Sequence, residues 1–225
     1  INGFTPWSPD GSKLVFFHIL PGEQGTTLQV MDIADQNIIT LTNEPGQYLL
    51  PSWSPDGSHI AFTANTSQTR VDLFMVRSDG THLIKLTENI RAGEFVLFDY
   101  HWSHDGETLT FIAAGGTYNV VYTADPNGSL AVVHRVGENQ HILDWWNGTA
   151  LLDNHGGTLA WLRSDGSQST LDHCKNSQLV GTPQKRSSRG NLVFAINCSG
   201  NEWMFYWANP DGTVIDQLLD SPISI

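Results

Sequence analysis

Nine histidines and two cysteines are the side chains of this 225-residue chain with the widest chemistry open to them. Imidazole and thiolate ligate transition metals, and imidazole exchanges protons near neutral pH. His101 and His104 form a His-x-x-His pair on a segment that reads as a strand entering a turn. A strand period of two sends positions i and i+3 to opposite faces, so the pair does not converge. His18, His59, His82, His134, His141, His155 and His173 are scattered one to a segment. No metal site and no cofactor are expected. Cys174 and Cys198 form no Cys-x-x-Cys pair, which leaves a structural zinc site unsupported. They read as the ends of a fourth strand and of a second strand in the next repeat, at one face. A disulfide worth about 3 kcal/mol and two unlinked thiols both stand as readings.

Asp10, Asp56 and Asp105 each precede a glycine and invite a calcium reading. Each is a single carboxylate in a tight turn, whereas calcium takes about six to eight oxygens. Turn capping is the expected role. There is no Gly-x-Ser-x-Gly elbow and no phosphate-cradling glycine loop, so no catalytic residue is assigned and no enzyme is expected. The net charge of −12 argues against nucleic acid, because phosphate binding needs a basic patch. The basic cluster Lys185, Arg186 and Arg189 reads as a loop. No apolar run approaches the roughly 18–20 residues of a membrane span. Four Asn-x-Ser/Thr sequons, at Asn65, Asn127, Asn147 and Asn197, are candidate glycosylation sites in an exported protein.

The elements that hold these residues follow from a repeat. Trp-Ser-Pro-Asp-Gly occurs at Trp7–Gly11 and Trp53–Gly57, and Trp-Ser-His-Asp-Gly at Trp102–Gly106. The tryptophans are 46 and 49 residues apart, a period that marks a propeller or a solenoid. Trp7, Trp53 and Trp102 are expected to pack between neighbouring repeats. Asp10, Asp56 and Asp105 cap their turns, and Gly11, Gly57 and Gly106 supply the backbone conformation the turns need. Charged residues are only 15% of the chain, while glycine and proline total 31, a profile of short strands and tight turns.

The first repeat divides into strands near 4–8, 13–20, 27–33 and 38–42. The second divides into 50–54, 59–64, 72–77 and 83–87, and the third into 100–103, 108–113, 119–124 and 130–135. The fourth has lost its Trp motif to Asp144-Trp145-Trp146-Asn147-Gly148 but recovers in 158–163 and 168–173. The fifth keeps 191–196, 203–207 and 214–218. Asp-Gly or Asn-Gly between the third and fourth strands reads as a hairpin turn. The fold expected is all-β: a propeller of four-stranded antiparallel blades near 1–43, 44–88, 89–136, 137–174 and 175–220 in a single domain. Whether five units close alone or belong to a larger ring is open. Because Ile1 already lies inside a repeat, the chain is expected to be a processed product or a fragment.

Trp53–Phe62, with the stretch Leu73–Gly80 and Leu86-Thr87 after it, resembles the WD40-like repeat of the TolB-like β-propeller family. The resemblance is specific in the first three repeats and general in the last two. It implies an extracytoplasmic protein, periplasmic, secreted or at the cell surface. It carries over no catalytic residue.

Meander order places the short first and third turns at one end of each blade. The longer connections 43–49, 66–70, 89–98, 137–140 and 175–188 then lie at the other end, where recognition is expected. Tyr48, Arg91, Glu94, Asp99, Glu138, His141, Lys185 and Arg186 are the candidate binding residues. Tyr48 and Phe95 could stack on sugars, though packing under the loops suits them better. The reading reached is a non-catalytic scaffold that binds a protein partner or ligand, with self-association and glycan as lesser options. The alternatives are the gating propeller of a larger hydrolase such as a prolyl-oligopeptidase-like peptidase, and a structural module of a surface layer or filament. A polysaccharide-lyase or lectin-like propeller is weaker.

Overall fold

The computed structural model describes residues 6–19, 25–42, 46–67, 70–90, 95–103, 105–114, 118–136, 141–146, 149–153, 159–163, 166–171, 178–179, 184–185, 192–199, 202–208, 215–217 and 223–224. These residues form antiparallel sheets that follow one another along the chain. The first sheet is β1 (Lys13–Ile19), β2 (Thr26–Asp32) and β3 (Ile38–Thr40), in that order. Most of the first strand expected before it lies outside the described residues, and of that strand Trp7 bridges Leu14. The second is β4 (Tyr48–Trp53), β5 (His59–Ser67), β6 (Arg70–Arg77) and β7 (Ile84–Lys85). The third is β8 (Phe95–Trp102), β9 (Leu109–Ala114), β10 (Asn119–Ala124) and β11 (Leu130–Val136). The fourth is β12 (His141–Trp146), β13 (Thr149–Asp153), β14 (Leu159–Arg163) and β15 (Gln168–Leu171).

The fifth sheet departs from the simple meander. β18 (Leu192–Ser199), β19 (Glu202–Ala208) and β20 (Ile215–Gln217) form its spine. β16 (Gln178–Leu179) and β17 (Gln184–Lys185) both pair with β18, and β21 (Ile223–Ser224) pairs with β19. Residues 175–188 are therefore not one irregular connection: two short strands within them dock on β18. The connection expected at 66–70 is likewise a tight hairpin, with Ser67 opposite Arg70. The fourth strand expected at 83–87 pairs only at Ile84–Lys85 and then turns into a 3₁₀ helix, Leu86–Asn89. Side-chain bonds to Thr87 take the place of the ladder there. No helix among the described residues is long and apolar enough to cross a membrane.

Backbone contacts divide the chain into two units, Ile1–Gly115 with Tyr122–Val132, and Gly116–Val121 with Val133–Ile225. In the first unit the core sits between sheets. Val15, Leu28, Val30 and Leu41 of the first sheet pack on Trp53, Ile60, Phe62 and Val76 of the second. Each such side chain contributes about 1.5–3 kcal/mol when fully buried. β5 is buried on both of its faces from Ile60 to Ala64, which explains why its sequence is continuously apolar rather than alternating. Phe111 stacks on Tyr122 at 5.4 Å in the next sheet. In the second unit Ala160, Trp161 and Leu162 of β14 are buried.

The first strand of the second, third and fourth sheets bulges at one level. Register shifts fall between Leu49 and Ser52, Val96 and Tyr100, and Ile142 and Asp144. Leu50, inside the first of these, holds φ +50°, a left-handed conformation rare for a branched side chain. The buried Tyr100 hydroxyl donates to the Leu50 carbonyl and so fixes that conformation from the neighbouring sheet.

Candidate functional site

The Trp-Ser-Xaa-Asp-Gly turns show one internal wiring three times. Asp10 accepts from the Ser8 hydroxyl at 2.7 Å and from the Ser12 amide at 3.0 Å. Asp56 accepts from Ser54 at 2.5 Å and from the Ser58 amide at 3.0 Å. Asp105 accepts from Ser103 at 2.6 Å and from the Glu107 amide at 2.9 Å. The same serine oxygens accept from the amides of Lys13, His59 and Thr108 at 2.9, 2.9 and 2.8 Å. The serine is thus the centre of the turn, receiving from the strand and donating to the aspartate. Hydrogen bonds from Ser8 and then Ser12 hold the Asp10 carboxyl at about 2. Burial pushes Asp56 up, yet the bonds from Ser54 and Ser58 outweigh it and keep the carboxyl below its ordinary value. These carboxylates are committed to their own turns.

The first and third turns of a sheet lie side by side: the Ile33 amide donates to the Ser12 carbonyl and the Ser78 amide to the Ser58 carbonyl, both at 2.9 Å. One end of each of these sheets is therefore built of uniform short turns. The opposite end of the second sheet carries the 67–70 hairpin, the entry to β4 and the 3₁₀ turn.

At that opposite end a carboxylate is fully buried. Asp72, 0% exposed, accepts from Thr87 Oγ1 at 2.7 Å and from the Thr66 hydroxyl, and pairs with Arg70 Nε at 2.9 Å and Lys85 Nζ at 3.0 Å. Burial alone would raise its pKa. The bonds from Thr66, Thr87, Lys85 and Arg70 together win and hold it at about 2. Thr87 Oγ1 also accepts from the Leu73 amide at 3.3 Å, and Arg70 reaches the Thr87 carbonyl at 3.3 Å. Lys85 extends toward the exposed Glu88 at 3.6 Å. The equivalent Thr42 accepts from the Leu28 amide at 3.0 Å in the first sheet, where Thr27 stands in the place of Asp72. The arrangement anchors a charged rim, with one cation arm on each side of a fixed anion. It presents no nucleophile paired with a base.

Tyr48 lies in the same row across the sheet, opposite Ala64, which in turn pairs with Asp72. Its ring meets Phe62 edge-on at 5.6 Å and lies over Gly46, where a Cβ would come within 2.9 Å of Cζ. Tyr48 is a packing residue at the rim of the core, half-buried.

The other candidates separate from it. Asp99 stands in mid-strand on β8, His141 opens β12 and Lys185 lies on β17, so all three occupy strands rather than loops. Arg91, Glu94, Glu138 and Arg186 lie outside the described residues, as do Cys174 and Asn147. Cys198 and Asn197 are on β18. Asn127 and Asn65 are exposed, the latter donating to Gln47 at 2.8 Å. Among the described residues no three metal-ligating side chains gather.

Ser8, Ser54, Ser103 and Asp72 were not singled out from sequence. The serines recur at a fixed place before each aspartate, a signal that was present. Asp72 interrupts the apolar run Val71–Val76, and a charge in such a run needs partners that only tertiary contact supplies.

No protein-family model matches the chain. Over 107 residues it is 29% identical to a protein TolB homolog of Chlorobium luteolum, covering 48% of this chain and 22% of that protein. Among solved structures it superposes on an oligogalacturonate lyase in complex with manganese with a TM-score of 0.67 and 14% identity, over 94% of this chain and 63% of that one. A prolyl endopeptidase gives 0.64 at 16% identity, over 99% and 36%. A TolB candidate of Agrobacterium tumefaciens gives 0.56 at 18% identity, over 97% and 80%. The fold is that of a TolB-like β-propeller. At these identities structural likeness carries the fold and no activity. The chain spans about a fifth of the length, 22%, of the curated relative it matches.

Proposed function

We propose that this chain is a non-catalytic β-propeller scaffold that binds a protein partner outside the cytoplasm. Its blades fall near 1–43, 44–88, 89–136, 137–174 and 175–220. The observation that carries the reading is the contrast between the two ends of the sheets. At one end every aspartate and serine is consumed within a repeated turn. At the other, Asp72 fixes Arg70 and Lys85 at a partly exposed rim beside Glu88. A rigid frame with one variable, charged rim suits recognition of another macromolecule. The likeness to a TolB homolog supports both the scaffold role and the extracytoplasmic setting. Arg91, Glu94, Asp99, Glu138, His141, Lys185 and Arg186 belong to this proposed rim, a Cys174–Cys198 disulfide suits the proposed compartment, and Asn65 and Asn127 are its proposed glycan sites.

The test is site-specific photo-crosslinking in the native envelope, from Glu88 at the rim and from Ser12 in the uniform turns. Recovery of one protein from Glu88 and none from Ser12 is the expected result. Equal labelling from both sites would sink the assignment of the binding end.

A second reading has one observation behind it, the superposition on an oligogalacturonate lyase solved with manganese. Incubation with oligogalacturonate and manganese, followed by absorbance of the unsaturated product, decides it. Product formation would replace the scaffold reading with a lyase.

A further inference from the structure

The second sheet shows how one repeat covers the next. Trp53, Ile60, Phe62 and Val76 lie in one register row system on a single face, and the first sheet covers that face so that Ile60, Phe62 and Val76 are 0% exposed. Three contacts mark the seam. The Trp53 indole donates to the Pro6 carbonyl at 3.2 Å, one residue before the Trp of the preceding repeat. A Cβ on Gly57 would meet Pro9 at 3.6 Å. Gly80, at φ +83°, stands where a Cβ would meet Ile39 at 2.8 Å. The seam between the second and third sheets repeats all three. Trp102 donates to the carbonyl of Ser52 at 3.2 Å, Gly106 abuts Asp56 at 3.4 Å and Gly128 abuts Ile84 at 2.9 Å.

The first sheet carries the same face. Trp7 bridges Leu14, Leu14 pairs with Met31 and Phe16 pairs with Gln29, so Trp7, Leu14, Phe16 and Met31 occupy the places of Trp53, Ile60, Phe62 and Val76. Here the face is not sealed. Trp7 is 50% exposed against 7% and 8% for Trp53 and Trp102. Leu14, Phe16 and Met31 are only half-buried, and nothing lies within 4 Å of a Cβ placed on Gly11. Apolar side chains held in the register of a buried face are the residue pattern of an unfilled seam.

We infer that the Trp7 face docks a further sheet of this same repeat, encoded upstream of Ile1. That sheet supplies the carbonyl one residue before its own motif Trp to the Trp7 indole, and lays its turn against Gly11. The argument rests on continuity with two seams of identical wiring, and the curated relative leaves ample length for such a sheet. One corner differs. Gln36 holds φ +60° at the place of Gly80 and Gly128, and its side chain fills the space that Ile39 and Ile84 take in the later seams. The incoming sheet therefore has a fourth strand that stops short of that corner.

Hydroxyl-radical footprinting read by mass spectrometry tests this on the protein as its gene encodes it, beside the 225-residue chain. In the chain alone Trp7 is expected to oxidise faster than Trp53 and Trp102. In the gene-encoded protein its rate falls to theirs, and Leu14→Lys lowers the melting temperature of that protein while leaving the shorter chain nearly unchanged. Trp7 oxidising equally in both forms overturns the inference. So does Trp7 already protected in the chain alone, since the seam would then be filled without upstream sequence.

Discussion

The indole nitrogen of Trp53 donates to the backbone carbonyl of Pro6 at 3.2 Å, joining the second sheet to the first across 47 residues of chain. That carbonyl also receives the Val15 amide at 2.8 Å, so a single oxygen ties the strand ladder and the seam together. Trp53→Phe keeps most of the apolar area and removes the donor. A loss of about 1–2 kcal/mol is expected in denaturant unfolding, against about 3–5 kcal/mol for Trp53→Ala.

Ser54 is 0% exposed, donates to Asp56 and accepts from the His59 amide. Ser54→Ala leaves that amide without its side-chain acceptor and the carboxylate without its shortest bond. A cost of about 1–2 kcal/mol follows, larger than for most single hydroxyl deletions at a surface. An unchanged urea midpoint would show that the backbone bond from His59 to Ser54 carries the turn unaided.

The glycines separate strain from crowding. Gly11→Ala meets open space and suffers only the left-handed backbone penalty, about 1–2 kcal/mol. Gly80→Ala adds a contact at 2.8 Å with Ile39 to the same penalty, for about 3 kcal/mol or more. Ile39→Ala in the Gly80→Ala background should recover the crowding part alone. A double-mutant cycle with no coupling between the two positions would refute the contact.

Asp72 gives the protein an acid limb. Its folded pKa of about 2 lies below an ordinary 3.8, so the ionised form is stabilised by folding. That stability is complete above about pH 4 and is lost as pH falls from there toward 2. Asp72→Asn removes the anion from between Arg70 and Lys85, lowers stability at neutral pH by about 3 kcal/mol, and flattens this limb. Thermal melts across pH 2–5 for both proteins measure it; parallel curves would assign the acid limb elsewhere.

His59 works in the opposite sense. Burial lowers its pKa from 6.5, with Asp56 and Asp79 opposing and Arg77 and His82 reinforcing. Its ring sits 6.5 Å from Trp102, with Nε2 buried and unpartnered. Protonation favours the unfolded chain, so stability present above about pH 6.5 declines as pH falls through that value. His59→Gln should remove this step from the unfolding midpoints while sparing the acid limb of Asp72.

The all-β class, the four-strand plan and the placing of Trp53, Trp102, Asp10, Asp56 and Asp105 were legible in the sequence. Their signals are local: a fixed period, Asp-Gly turns and strand-length apolar runs depend on neighbours a few residues away. Three things came only from tertiary structure. Asp72 is a core residue because hydroxyls and cations from β5, β6, β7 and the 3₁₀ turn converge on it, and no spacing rule announces that convergence. Tyr48 was read at a recognition rim and packs instead on Phe62 and Gly46, since ring direction depends on the register of β4 against β5. Trp7, identical in motif to Trp53 and Trp102, is half exposed: a repeat specifies the side chain it presents, while burial depends on which sheet lies against it.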